Sequence, residues 1–144
     1  MLYNCFLKNG IIYVPTVVKM QTGVYSDEEP VAVVPTANSQ GLRRAFQDAI
    51  GRGNVVVPNP PKDNWPSPVL LKYTGAKTRS AFKHGASTWS IKEKDGNYQI
   101  VGYRTHRNGY WQEDPDQKIE FPPGATVDDV IDRMVAILQD AARK

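Results

Sequence analysis

The C-terminal segment carries the clearest local structural signal in the chain, an amphipathic helix with a defined start. Thr126 is followed three residues later by Asp129, the arrangement of a capping box at a helix N-terminus. The apolar residues that follow share one helical face: Val130, Ile131, Met134, Val135 and Leu138. Such a helix has to bury this face, so the rest of the chain must supply a complementary apolar surface.

The chain ahead of this helix predicts a sheet built from antiparallel hairpins. Asn9-Gly10 and Asp95-Gly96 each separate two strand-like runs, and these dipeptides are typical of the two-residue turns that join antiparallel strands. Pro15 removes a backbone donor from its strand, so we expect that strand to lie at an edge or to carry a bulge. The predicted strands cover residues 2–7, 11–19, 24–26, 31–34, 54–57, 69–73, 88–92, 98–104 and 119–121, and the acidic residues 27–29 are predicted to form a loop.

A central helix is predicted after the first group of strands. Asn38 or Ser39 is a suitable N-cap, and Gly51 and Gly53 are suited to end the helix. One or two further helical turns are expected at residues 78–84. The apolar face of the central helix consists of Leu42, Ala45, Phe46, Ala49 and Ile50.

A proline-rich connection at residues 58–68 separates the two halves of the chain. Its five prolines exclude helix and central strand, and Trp65 within it is expected to pack against the body of the protein. Each half is small on its own, so we expect one domain over residues 1–144. The predicted fold class is therefore α+β, a single domain of antiparallel hairpins with one central helix and a C-terminal amphipathic helix.

Composition and charge narrow the functional classes. The formal net charge of +3 is well below what a dedicated nucleic-acid-binding protein is expected to carry. No apolar run approaches the roughly 18 residues of a membrane span, and the N-terminus does not resemble a secretory signal. Cys5 has no second cysteine with which to form an intrachain disulfide. We therefore expect a cytoplasmic protein.

The sequence contains no established catalytic or cofactor motif. Its two histidines and one cysteine have no metal-ligand spacing, and no phosphate-binding glycine motif is present, so neither a metal nor a cofactor is expected. Residues 72–107 contain eight lysines and arginines and two acids. His84 and His106 lie in this basic region, which leaves open a small metal-independent nuclease or an RNA-binding protein. A solvated basic face explains the same pattern.

The segment at 110–116 combines aromatic and acidic residues. Tyr110 and Trp111 are expected to extend the sheet, and the acidic residues directly after them are predicted to lie in a turn. Aromatic side chains next to acids favour a protein-recognition surface, although a core tryptophan beside a solvated turn gives the same pattern. The predicted partner-binding residues are Tyr110, Trp111, Glu113, Asp114 and Asp116.

The predicted order of elements resembles that of small bacterial immunity proteins, which neutralise a toxin domain. The shared features are hairpins, a short helix, more hairpins and a closing C-terminal helix. The resemblance concerns general architecture, includes no sequence motif and assigns no role to any residue. It implies a non-catalytic protein that binds another protein, such as a toxin domain, rather than a membrane. The nuclease and RNA-binding interpretations around His84 and His106 are the alternative.

Overall fold

A computed structural model describes residues 1–60 and 68–143 of the chain. Trp65 and most of the connection at 58–68 lie outside the described residues, so their predicted packing is not assessed. The strands are β1 (Leu2–Lys8), β2 (Ile11–Met20), β3 (Tyr25–Pro35), β4 (Val56–Val57), β5 (Ser87–Lys94), β6 (Asn97–Thr105) and β7 (Trp111–Glu120). The helices are α1 (Ser39–Arg52), α2 (Val69–Thr74), α3 (Arg79–Lys83) and α4 (Val127–Ala142).

The strands form one sheet whose long members are all antiparallel. Their order is β3-β2-β1-β5-β6-β7, and the two-residue strand β4 pairs in parallel with β2. Both predicted hairpin turns are confirmed, since Asn9 and Gly10 have φ values of 53° and 76°, and Asp95 and Gly96 have values of 54° and 79°. Two successive residues with positive φ are what a two-residue turn between twisted strands requires. The α+β fold class is confirmed.

The helices α1 and α4 cover one face of the sheet. The Asn38 side chain accepts a hydrogen bond from the Gly41 amide and caps α1, and Thr126 and Asp129 form the predicted capping box of α4. The apolar faces predicted for both helices are buried here, except that Ile50 of α1 is only partly buried. The largest fully buried side chains of this core include Tyr3, Ile12, Leu42, Phe46, Ile91, Ile100, Ile131, Met134 and Leu138.

The opposite face of the sheet, called the second face below, is covered only in part by the short helices α2 and α3. A smaller cluster there joins Phe6 and Tyr13 of the sheet to Leu70 of α2 and Phe82 of α3. Alternation along β5 explains the division, because Trp89 and Ile91 point to the main core while Ser90 points to the second face. Polar side chains therefore line the part of the second face that these helices leave open.

The first two strands separate along part of their length, and this separation shapes the second face. The pairing of β1 with β2 joins Phe6–Lys8 to Ile11–Tyr13. Towards the start of β1, the side chain of Asn54 accepts from the Leu2 amide and donates to the carbonyls of Leu2 and Val17. β2 lies inside the sheet, and its pairing with β3 is irregular between Pro15 and Thr16. The irregularity expected at the proline is therefore present, but the two extra residues, Glu29 and Pro30, lie on β3.

Two sequence predictions about local structure are wrong. The segments predicted as two strands joined by an acidic loop at 27–29 form one continuous strand, β3, in which Asp27 and Glu28 pair with β2 and Glu29 lies at the register shift. Residues 69–73, predicted as a strand, lie in helix α2, which ends at Gly75 in the left-handed conformation. A short apolar run does not distinguish strand from helix, and burial of Leu70 against the second face selects the helix. The turns predicted at 78–84 are confirmed as α3.

Among the described residues, none of the helices has the length and apolar character needed to cross a membrane.

Candidate functional site

A cleft of about 400 Å³ opens on the second face, between the first half of β3 and the helices α2 and α3. One wall is apolar and aromatic, and the other carries the acidic residues of β3. Residues that line it include Phe6, Asp27, Leu70, Arg79, Phe82 and Trp111. A concave, largely apolar site with a few polar groups has the general character of a binding site.

A chain of polar side chains crosses the second face and ends at Asp27. The Ser90 hydroxyl donates to Asn4 Oδ1 at 2.6 Å, and Asn4 Nδ2 donates to Asp27 Oδ1 at 2.9 Å. Since the single proton of Ser90 is used in this way, the Tyr103 hydroxyl is the donor in its 3.1 Å contact with Ser90. The separation of β1 from β2 lets Asn4 reach a residue of β3.

Asp27 is the titratable group that the cleft perturbs most directly. Desolvation raises the pKa of Asp27 from its ordinary 3.8 to about 6, while the hydrogen bond from Asn4 opposes the rise and the charge of Glu28 adds to it. Asp27 is only partly exposed, at the surface of the cleft. A carboxylate in such surroundings binds a cation more strongly than one in open solvent, because less water competes for it.

The aromatic wall of the cleft includes Trp111. Its ring lies 5.6 Å from that of Phe6 and 6.1 Å from that of Phe82, measured between centroids, and the Lys83 ammonium sits 4.9 Å above it. The side chain is half-buried. Trp111 therefore packs within the second face and is not a freely projecting anchor.

The predicted turn at 112–116 is wrong in its local structure. These residues belong to β7, an edge strand of the sheet, because β6 and β7 pair up to Thr105 and Trp111. Tyr110 lies just before the strand, is 48% exposed and stacks on His106 with ring centroids 4.4 Å apart. The structure thus places the predicted residues along one edge instead of in a compact loop.

The three acids of this edge have different surroundings. Glu113 forms an ion pair with Lys92 at 3.1 Å on the second face. Asp114 accepts hydrogen bonds from the Gln117 side chain and the Asp116 amide, and these lower its pKa. Asp116 is exposed. The edge therefore presents negative charge at neutral pH.

Several basic side chains of residues 72–107 already form contacts within the protein. Lys72 pairs with Glu29 at 2.6 Å. His84 is exposed at the end of α3, whereas His106 is held in the β6–β7 turn, where its Nδ1 accepts from the Asn108 amide at 3.2 Å. In the described part of the chain no hydrogen bond or ring contact joins the two histidines.

The described residues contain neither an arranged metal-binding site nor a thiol positioned to react. No group of three or more histidine, cysteine, aspartate or glutamate side chains there is positioned to hold a metal ion. Cys5 is fully buried, and desolvation raises its pKa to about 12, so its thiol packs in the core and is not poised as a nucleophile.

Sequence reasoning missed the polar chain and the cleft. Asn4, Asp27 and Ser90 are far apart along the chain and belong to no motif, and residues 27–29 were assigned to a loop. The available signal was the serine between Trp89 and Ile91. Alternation places it on the opposite face from the core, where its burial to 2% exposure requires polar partners.

No family model matches the chain, and no curated protein matches it in sequence. Solved structures do share its fold. One is a protein of unknown function from Neisseria meningitidis, with a TM-score of 0.67 and 14% identity over 97% of this chain and 93% of that one. Another is a chain of the CdiA-CT/CdiI toxin and immunity complex from Yersinia pseudotuberculosis, with a TM-score of 0.63 and 13% identity over 98% of this chain and 95% of that one. This likeness concerns the fold, and it is consistent with the immunity-protein architecture that the sequence resembles.

Proposed function

We propose that this chain is a cytoplasmic, non-catalytic protein that binds a bacterial toxin domain and neutralises it. The observation that carries the proposal is the shared fold with a chain of the CdiA-CT/CdiI toxin and immunity complex, which extends over 98% of this chain. The order of elements predicted from the sequence agrees with the same architecture.

The acidic edge of the sheet is the proposed contact surface. Glu113, Asp114 and Asp116 lie along β7, and Tyr110 is exposed just before this strand. Pro115 has no backbone N–H to offer a further strand, and a register irregularity interrupts the pairing of β6 with β7, so the edge is poorly suited to strand addition. We infer that it contacts a basic partner through side chains.

Trp111 has a supporting role in this proposal. It packs against Phe6 and Phe82 beneath the edge, and truncation to alanine would remove both contacts. We therefore expect Trp111→Ala to lower the stability of the fold as well as partner affinity. Substitution of the acidic residues on the edge tests the contact surface more clearly, because it leaves the core unchanged.

Growth protection tests the function directly. Under this proposal, the neighbouring gene is expected to encode the toxin domain. That domain is expressed from an inducible promoter, with and without this chain. We expect the toxin domain alone to arrest growth and coexpression to restore it. Arrest that persists while this chain is present in soluble form would contradict the proposal.

The contact surface is tested by changing charge without changing the core. Asp114→Ala with Asp116→Ala should slow association with the toxin domain at low salt and matter less at high salt, because exposed charges act mainly through steering. Asp48→Ala with Asp128→Ala is the matched control, since it removes two exposed acids that take part in none of the ion pairs found among the described residues. Equal association rates for both double variants would place the interface elsewhere.

A further inference from the structure

Asp27 presents a negative charge in the cleft that no cation of the described chain neutralises. Its side chain accepts a hydrogen bond from Asn4, and the four ion pairs found among the described residues all involve other acids. We propose that the cleft receives an arginine side chain of the protein partner, whose guanidinium group pairs with Asp27. This inference rests on the proposed function, because the partner of that function supplies the arginine.

The lining of the cleft favours arginine over lysine. A guanidinium group is planar, is less strongly hydrated than an ammonium group and stacks on aromatic rings. Phe6 and Phe82 supply such rings beside Trp111, one face of which Lys83 already covers, and the Asp27 carboxylate supplies the acceptor oxygens for paired hydrogen bonds. A volume of about 400 Å³ accommodates a side chain of this length together with part of its backbone. Charge and shape thus point to the same occupant.

The cations next to the cleft do not replace this occupant. Lys83 donates to the Gly109 carbonyl at 3.2 Å, and Lys72 pairs with Glu29. Arg79 lines the cleft from α3 but forms no ion pair with the Asp27 carboxylate in the described part of the chain. If Arg79 were the resident cation, Arg79→Gln would raise the pKa of the carboxylate further. We expect no such rise.

The polar chain keeps the carboxylate in position without neutralising it. Tyr103, Ser90 and Asn4 direct their donors in sequence towards Asp27, and this fixes the orientation of the carboxylate in the free protein. Desolvation opposes its ionisation, as the raised pKa indicates. A cation bound next to the carboxylate offsets this desolvation cost, so the ion pair is more favourable than one at an open surface site.

The cleft is first tested without any partner, using n-propylguanidinium as a probe and N-propylurea as its neutral isostere. The carboxyl ¹³C resonance of Asp27 is followed by NMR as a function of pH in the full chain. Saturating n-propylguanidinium should lower the pKa of Asp27 by about one unit, as expected for a cation placed next to a carboxylate. N-propylurea should leave it unchanged. The same pKa with both compounds would overturn the proposed cation site.

The source of the cation is tested with the toxin domain encoded beside this gene. Asp27→Asn should weaken the complex at least about tenfold, whereas Asp48→Asn, which alters an exposed acid of α1 on the opposite face of the sheet, should bind like the wild type. Wild-type affinity in Asp27→Asn would overturn the partner's arginine as the occupant. If the wild-type chain does not bind the toxin domain at all, the proposed function fails and the assignment of the arginine to that partner fails with it. The probe titration then still decides whether the cation site exists.

Discussion

Among the individual residues, Asp27 carries a charge whose desolvation costs folding free energy, and its carboxylate is oriented by the hydrogen bond from Asn4. Its ordinary pKa of 3.8 rises to about 6 in the folded chain because the charged form is desolvated. Above pH 6 it is ionised in both the folded and the unfolded state, so the penalty is fully present. As the pH falls from 6 towards 3.8, the folded state takes up the proton first, and this group then contributes increasing stability. A charge retained at such a position is often functional.

Asp27→Asn should therefore stabilise the protein at pH 7. The amide oxygen still accepts from Asn4, while the desolvated charge is removed. Since Asp27 is partly exposed, we expect a gain of about 1 kcal/mol, less than the full pKa shift would give. Urea denaturation at pH 7 and pH 4 measures it, and the gain should be nearly lost at the lower pH. A variant less stable than the wild type at pH 7 would contradict this account.

Gly102 is required by the packing of the β6–β7 edge. A Cβ atom at this position would lie 2.7 Å from Gln117 Cβ, closer than real side chains approach. We expect Gly102→Ala to destabilise the fold by about 1–3 kcal/mol in urea denaturation. Gly51→Ala is the control, because Gly51 lies in α1 with open space around it, and helix propensity predicts a gain of about 0.5 kcal/mol. Equal effects of the two substitutions would show that this contact does not limit the packing.

At the scale of elements, α4 closes the main core, and its packing has a direct test. Met134 is fully buried on this helix, so Met134→Asp would place an unpaired charge in the core. We expect a loss of more than about 4 kcal/mol, enough to unfold a chain of ordinary stability. Arg133→Asp adds the same carboxylate at the exposed neighbouring position and should leave a cooperative thermal transition. A folded Met134→Asp protein with wild-type thermal stability would exclude the packing described here.

Elements with complete local signals could be predicted from the sequence. The caps at Asn38 and Thr126 and the turns at Asn9-Gly10 and Asp95-Gly96 act within a few residues, so neighbouring sequence is sufficient to locate them. Helix α2 was missed because its structure depends on burial of Leu70 against a distant strand. The strand character of residues 27–29 was missed because pairing with β2 overrides the usual preference of acids for loops.

The candidate site depends on the whole molecule, and this is why sequence reasoning did not find it. Asn4, Asp27 and Ser90 come from three strands, and the sheet order together with the separation of β1 from β2 brings their side chains into contact. The spacing of these three residues along the chain does not indicate that their side chains are in contact. The acidic edge was found from local composition, but its position on an edge strand follows from the sheet order.

The central claim is that this chain, as a whole fold, binds and neutralises a toxin domain. The most direct test titrates this chain into the purified toxin domain encoded by the neighbouring gene and measures the remaining toxin activity. We predict that activity falls linearly and reaches zero at one chain per toxin domain, with Gly51→Ala behaving like the wild type. Full toxin activity in the presence of excess folded chain would contradict the claim.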